Sequence, residues 1–525
     1  MRKLRVGILD LVTKSTRPSL YGRVMNANLA SIMPQVVAVW CEQLGHEVRF
    51  VCHTGVEDLL TALPADLDVV FICAFTHAAQ TAYSLSNVFR RRGAVTVLGG
   101  PHARCYPEDA VQYFDYVVGF ADRSTIEEVL HEVAPHRPLG RRLTAAGQPR
   151  ELPSLRERWP YVEATLAKAP AFRMVPMIGS LGCPYTCNFC IDSTVAYQPL
   201  GFPQLRDDLV FLQTKVKHPI IGWHDPNFGV RFDAYMETIE SAAPKGSLRH
   251  VAESSLSILS EPHLKRLQKN GFQAILPGIE SWFELGDKSK TRQKGMEKVR
   301  EVSDHINLIM RYLPYVQANF VMGLDSDSGA EPFELTKRFV ELSPGAFPGY
   351  SLLSAFGRAA PVNLDYQRAG RVLPFPFHFL NNNHAMNVRP MNYTWPAFYD
   401  RLVDVTAHTF SWGAIARRFR ANRGFIPTTM NVVRAVSSEG FGRLRYHRLI
   451  RTLLDTDRPL RAFMEGESTT LPAFFFNRMK AELGPLFEHL PPGAVMHEPN
   501  AYSRSEAMAP APPPPAPALV PAAAN

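Results

Sequence analysis

The 525-residue sequence contains no apolar run long enough for a helix that crosses a bilayer. Its start, Met1-Arg2-Lys3-Leu4-Arg5-Val6-Gly7-Ile8-Leu9-Asp10, puts charge ahead of apolar residues. The apolar part is too short for a secretory signal and an acid interrupts it, so it reads as a first β-strand. Cysteine is scarce. There are seven, an odd number, and three fall within eight positions. That pattern excludes a disulfide scaffold and points to a reducing cytoplasm. Cys41, Cys52, Cys73 and Cys105 stand in apolar stretches and read as small buried hydrophobes. Charge is also modest. A net +8 over this length is too mild to imply a nucleic-acid partner. The hydrophobic content of 46% is that of globular protein, and the length exceeds one core, so two or three domains are expected.

What is there begins with Cys183-Pro184-Tyr185-Thr186-Cys187-Asn188-Phe189-Cys190. Three thiols stand three and then two residues apart. Thiolates are soft ligands that suit iron–sulfur clusters and zinc. A cubane cluster normally takes four cysteines, so three leave one iron open to another ligand. Zinc held with His218 or His224 is the other reading of the same residues, and inert thiols are a third.

The three-then-two spacing after the apolar run Met174-Val175-Pro176-Met177-Ile178-Gly179-Ser180 resembles the radical SAM enzymes. In that family the loop leaves the first strand of a partial barrel and wraps a 4Fe–4S cluster. The open iron is chelated by the amino and carboxylate groups of S-adenosylmethionine (SAM), which the reduced cluster cleaves to a 5′-deoxyadenosyl radical. The resemblance therefore implies Cys183, Cys187 and Cys190 as cluster ligands.

Upstream, apolar runs at Arg5–Leu9, Glu47–Cys52, Asp68–Cys73, Ala94–Leu98 and Asp115–Val118 alternate with helical patterns. Gly45 and Gly93 end two of the helices, and Ser124-Thr125-Ile126-Glu127 has the form of a capping box. The alternation predicts a doubly wound, Rossmann-like parallel sheet, whose ligands bind beyond the carboxyl ends of the strands. Those ends carry Cys73-Ala74-Phe75-Thr76-His77 and Leu98-Gly99-Gly100-Pro101-His102. The second segment, with Pro107-Glu108 and Asp115-Tyr116-Val117-Val118-Gly119, resembles the cobalamin-binding domains fused ahead of radical SAM barrels. Thr76, Gly99 and Gly100 are implied as cobalamin contacts. The Asp-x-His-x-x-Gly signature of a lower cobalt ligand is absent, and Gly119-Phe120-Ala121-Asp122 replaces the frequent Gly-Glu-Gly-Glu. His77 and His102 are expected to make ordinary hydrogen bonds.

Downstream, strands are predicted at Pro219–Trp223, Arg249–Glu253, Gln273–Pro277, Val316–Met322 and Tyr350–Ser354, giving a partial (β/α)6 barrel. Its polar tips resemble family turns. His224-Asp225-Pro226-Asn227-Phe228 matches an Asp-x-x-Phe turn, and Gly278-Ile279-Glu280-Ser281 a SAM-contacting segment. Phe320-Val321-Met322-Gly323-Leu324-Asp325 matches a Phe-x-x-Gly-Leu-Pro turn with Asp in place of Pro. The resemblance implies Phe189, Glu253, Gly278, Glu280 and Ser281 as SAM contacts. A buried salt bridge is the alternative use of either acid.

The expected organisation is a cobalamin-binding-like domain over 1–135, a linker over 136–170, the barrel over 171–365, a helical cap over 366–505 that shapes the substrate space, and a disordered Pro/Ala tail over 506–525. The order resembles cobalamin-dependent radical SAM methyltransferases. It implies three cofactors, namely a 4Fe–4S cluster, SAM and cobalamin. It also implies a small-molecule substrate and an electron donor such as flavodoxin or ferredoxin. A non-methylating radical enzyme and a non-catalytic metal protein are the alternatives.

Overall fold

The run Arg5–Leu11 is buried on both faces after its first residue, as a central parallel strand requires. It is β1 of a sheet completed by β2 (Glu47–His53), β3 (Val69–Ala74), β4 (Val95–Gly99), β5 (Tyr116–Val118) and β6 (Arg141–Leu143). All pairings are parallel, in the order 2-1-3-4-5-6. The computed structural model describes residues 2–14, 18–133, 140–284, 291–422 and 424–501. Val6, Ile8, Phe71 and Val97 pack one face of the sheet against the helices Ile32–Gln43 and Arg123–His131. Leu9, Ile72 and Leu98 pack the other against Ala79–Arg91, in a core that runs on into the rest of the chain. Helices on both faces make the domain doubly wound, and the strand order reverses between β1 and β3.

Two local expectations are corrected. The helix Arg123–His131 is capped by Asp122, whose carboxylate accepts from Thr125 N–H, while Ser124 donates to that same carboxylate. A capping box does occur, at Ser154 and Glu157, ahead of the helix Leu155–Leu166. That helix and β6 both lie in the stretch expected to be a linker. β6 reads Arg-Arg-Leu, and so short and polar an edge strand leaves no apolar run to find.

The second sheet starts at β7 (Met174–Met177). A ribbon of β8 (Ser180–Leu181) and β9 (Gln198–Pro199) follows, and then β10 (Ile220–Trp223), β11 (Arg249–Ser255), β12 (Phe272–Glu280), β13 (Tyr315–Met322) and β14 (Phe347–Leu352). Apart from the ribbon, the strands are parallel and stand in chain order, six in all. Intervening helices such as Phe202–Lys215 and Gly295–Tyr312 cover the outside. The result is the expected partial barrel. β7 stops at Met177, short of Ser180, and Gly278–Glu280 belongs to β12 itself. Beyond residue 394 the chain is helical, from Trp395–Thr409 to Ala473–Leu483. The Pro/Ala tail lies outside the described residues.

His250 on β11 illustrates the cost of a buried titratable group in this barrel. Its ring is buried, accepts from the Trp223 indole N–H at 3.1 Å and stacks on Phe272. Burial pushes its pKa from 6.5 to about 3. Between those values the unfolded chain takes up a proton that the folded chain refuses, so stability falls as pH drops from 6.5 toward 3. His250→Phe is expected to flatten the slope of unfolding free energy against pH by about 1.4 kcal/mol per pH unit below roughly pH 6. Urea titrations of both proteins at pH 5 and 6.5 check this. An unchanged slope overturns it.

Candidate active site

The cysteine loop is anchored before it begins. Asp225, buried after β10, accepts from Gly179 N–H at 3.2 and 3.3 Å, from Ser180 Oγ at 2.6 Å and from the Tyr235 hydroxyl. Burial raises its pKa, and these donors oppose the shift. Asp225→Ala strands three buried donors, each costing about 1–3 kcal/mol. The expected result is a loss of at least about 3 kcal/mol of stability together with lowered iron uptake. Denaturant titration and iron analysis test this, and wild-type values in both exclude the anchoring role.

Past the anchor, Gly182 takes φ +67, and a Cβ there would stand 2.3 Å from the Ala196 carbonyl oxygen. Only glycine turns the chain so close to its own return strand. Cys183 N–H then bonds the Val195 carbonyl, and Cys190 N–H bonds the Cys187 carbonyl at 2.9 Å. Cys183 is buried, while Cys187 and Cys190 are half-buried. Among the described residues no group of three His, Cys, Asp or Glu side chains stands ready to hold a metal ion. The fit of the triad to a cluster therefore rests on its donors, three soft thiols in one loop at the carboxyl end of the first barrel strand.

A guanidinium ties this loop to the first domain. Arg104 donates to the Asp192 carboxylate at 3.0 Å and to the Ile191 carbonyl at 2.6 Å, and it lies over the Phe120 ring. Such charge-assisted, forked bonds fix geometry as well as contributing energy. Between the two sheets opens a cleft of about 360 Å³. Its first-domain wall includes Phe75, Gly99, Gly100, Pro101 and Phe120, and its barrel wall Ile178, Leu181, Asp192 and His224. This is the carboxyl end of the first sheet, where a doubly wound fold receives its ligand. Gly100 has φ +86, and a Cβ there would meet Cys73 Sγ at 2.7 Å. A Cβ on Gly99 would meet nothing within 4 Å. The strand edge is thus open to a large flat group, and the mostly apolar lining fits a corrinoid.

Thr76 does not line this cleft, because the 3-10 turn Thr76–Ala78 after β3 buries it. Neither His77 nor His102 lines it. His102 is buried, and its Nε2 meets the Tyr83 hydroxyl, which also bonds Asp109. Among the described residues the one histidine on the cleft wall is His224, which the sequence offers as an alternative zinc ligand and as the head of the turn after β10. Burial, aided by the charge of Arg158, lowers its pKa to about 4, so it is neutral at pH 7. Cys41, Cys52 and Cys105 are buried as expected, whereas Cys73 is half-buried on the cleft wall.

Of the expected SAM contacts, Glu253, Gly278 and Glu280 sit on the neighbouring strands β11 and β12. Glu253 is exposed on β11. Glu280 ends β12 with φ +63, where the register with β13 shifts, and such a bulge re-aims a side chain. Its carboxylate folds back over Gly278, where a Cβ would come within 2.1 Å of Oε1. Gly278 is therefore the floor on which Glu280 rests. Ser281 is buried, and its oxygen accepts from the N–H groups of Phe283 and Glu284. It shapes the turn that follows β12. Phe189 is half-buried against the core. Asp325, standing where proline was expected, makes a forked pair with Arg371 at 2.7 and 2.8 Å.

No family model matches the chain. It is 25% identical over 300 residues to bacteriochlorophyllide d C-12(1)-methyltransferase of Chlorobaculum tepidum, covering 55% of this chain. That match spans 64% of the relative, just under two thirds of its length. It is 23% identical over 381 residues to the bacteriochlorophyllide d C-8(2)-methyltransferase of the same organism, covering 67% of this chain and 80% of that one. It is 26% identical over 379 residues to hopanoid C-2 methylase of Rhodopseudomonas palustris, covering 67% of each. Among solved structures, the radical S-adenosylmethionine methyltransferase TsrM of Kitasatospora setae, with cobalamin and a [4Fe-4S] cluster bound, matches with a TM-score of 0.52. The identity is 14%, over 74% of this chain and 79% of that one. The cobalamin-dependent S-adenosylmethionine radical enzyme OxsB matches with a TM-score of 0.53 at 11% identity, over 93% of this chain and 80% of that one. These two share the fold. With its three-cysteine loop on a partial barrel and the Rossmann-like domain facing it, the chain is similar in sequence to these methyltransferases and in fold to radical SAM enzymes that bind cobalamin.

Proposed function

We propose that the chain is a cobalamin-dependent radical SAM methyltransferase acting on an unactivated carbon of a small-molecule or lipid-like metabolite. The observation that carries this reading is the bridge of Arg104 to Asp192, which sets the cysteine loop beside a glycine-edged cleft. Cys183, Cys187 and Cys190 hold the cluster, Glu253, Gly278, Glu280 and Phe189 receive SAM, and Gly99 and Gly100 form the edge against which cobalamin lies. When bound, these groups supply an electron, a radical that removes a substrate hydrogen, and a methyl group. The residues supply position and dryness. Asp225 fixes the approach to the loop, Gly278 seats the Glu280 carboxylate, and the apolar cleft excludes water from reactive species. A small electron carrier such as flavodoxin or ferredoxin, in a reducing cytoplasm, completes the system. Its sequence relatives are named as methyltransferases of bacteriochlorophyllide d and as a hopanoid methylase.

The reading is tested with anaerobically reconstituted protein, SAM labelled in its methyl group, and bacteriochlorophyllide d or a hopanoid unmethylated at C-2 as probes. Label in the probe supports it. SAM cleavage without label in either probe, from protein that takes up no cobalt, favours a non-methylating radical enzyme.

A further inference from the structure

The cap presents a surface that the methyl-transfer reading does not use. Residues 405–438 contain no aspartate or glutamate and five arginines, Arg417, Arg418, Arg420, Arg423 and Arg434. Two helices come from this stretch, Trp412–Ala421 and Phe425–Val436. Ala414, Ile415 and Arg418 form the inward face of the first. Arg418 is spent inside, donating to the carbonyls of Ala346 and Thr409. Arg434 is buried and paired with Glu439. Arg417 and Arg420 point outward, and among the described residues no carboxylate pairs with either.

Beside these cations stand large apolar side chains in the open. Trp412 is 70% exposed, Phe419 55%, Phe425 84% and Ile426 58%. Trp412 and Phe419 are seven residues apart, two helical turns, and so share a face. Gly424, at φ +93, turns the chain so that Phe425 and Ile426 open the second helix. A third helix, Leu20–Met25, packs on that one and adds exposed Leu20 and Arg23. Ser19 and Ser438 hydrogen-bond across the junction at 3.1 Å. Leu20–Met25 too comes from an acid-free stretch, residues 11–41, which goes on to supply Leu29, Ser31 and Met33 to the cleft wall.

An ordinary solvated helix face mixes both signs of charge and shows few large apolar groups. This one shows cations of a single sign interleaved with aromatics, the composition of a helix that lies in the interfacial plane of a membrane. No single helix among the described residues is long and apolar enough to cross a bilayer. We propose that the face formed by Trp412, Arg417, Phe419, Arg420, Phe425 and Ile426 docks on the surface of an anionic lipid bilayer. The aromatics enter the headgroup boundary and the arginines meet lipid phosphates. Charge complementarity selects a lipid surface over a second copy of the chain, which would bring arginine against arginine. The inference does not depend on methyl transfer.

Flotation of the full-length protein with unilamellar vesicles tests it, using phosphatidylcholine alone and phosphatidylcholine mixed with phosphatidylglycerol. Binding to the anionic vesicles is expected to be at least about tenfold tighter than to the neutral ones and to weaken in high salt. It is expected to be lost in Phe419→Ser/Phe425→Ser and, separately, in Arg417→Glu/Arg420→Glu. All four side chains are exposed, so both variants are expected to melt as the wild type does. Wild-type protein that stays with the soluble fraction overturns the proposal, as does equal binding to both vesicles or undiminished binding by the arginine variant. A doubled mass in light scattering, lost in the phenylalanine variant and without vesicle binding, assigns the face to self-association instead.

Discussion

Alanine at Cys187 is expected to strip the anaerobically reconstituted protein of iron, from about four atoms per chain to fewer than about one. The loop offers three thiols, and two cannot hold a cubane whose fourth iron already lacks a protein ligand. The backbone bonds that hold the loop do not pass through the lost side chain. The loop rests on backbone bonds from Cys183 to Val195 and from Cys190 to Cys187, and on the Arg104 clasp. Cys187 is half-buried, so its removal leaves little void. The variant should therefore fold, take up cobalamin as the wild type does, and form no 5′-deoxyadenosine from SAM. Iron, sulfide and cobalt measured together on both proteins decide the matter. Iron that stays on the variant removes Cys187 from the ligand set, and zinc in place of iron on a wild type that cannot be reconstituted with a cluster removes the basis for radical chemistry here.

Leucine at Gly99 is expected to abolish cobalamin uptake while leaving iron content and melting temperature unchanged. The separation follows from the geometry. A side chain at Gly99 grows into open space at the end of β4, in the wall of the cleft. Its Cβ meets no protein atom within 4 Å, and the rest of the side chain fills the edge along which the corrinoid would lie. Gly100 is the control. Its positive φ and the 2.7 Å approach to Cys73 Sγ mean that Gly100→Leu should also lower the melting temperature. Cobalt per chain after loading with excess cobalamin is the readout. Full cobalt content in Gly99→Leu moves the corrinoid site elsewhere.

Both predictions rest on features of unequal legibility. The strands could be read because buried parallel strands are apolar throughout and glycines end the helices between them. The cysteine loop could be read because its ligands are neighbours in the chain. β6 could not, since an edge strand of two arginines and a leucine carries no periodic signal. The helix cap at Asp122 was misread because the Ser-x-x-Glu pattern lay two residues beyond the true start. Thr76 looked like a ligand contact by position at a strand end, and the 3-10 turn that buries it is decided by packing. His224 joins the cleft from the second sheet, far from the first in sequence. Asp225 did carry a signal, as the acid of the turn after β10, but its anchoring of Gly179 and Ser180 is a tertiary fact.

Arg104 was invisible for the same reason, standing 88 residues from its partner Asp192. Its helix, Pro101–Cys105, starts at the Gly100 corner of the cleft, and its guanidinium ends on the residues that directly follow Cys190. The seats proposed for two different guests thus share one strut. By thermodynamic reciprocity, whatever one guest does to the free energy of seating the other is returned in equal measure. Any such coupling is symmetric, so the order of arrival leaves its size unchanged.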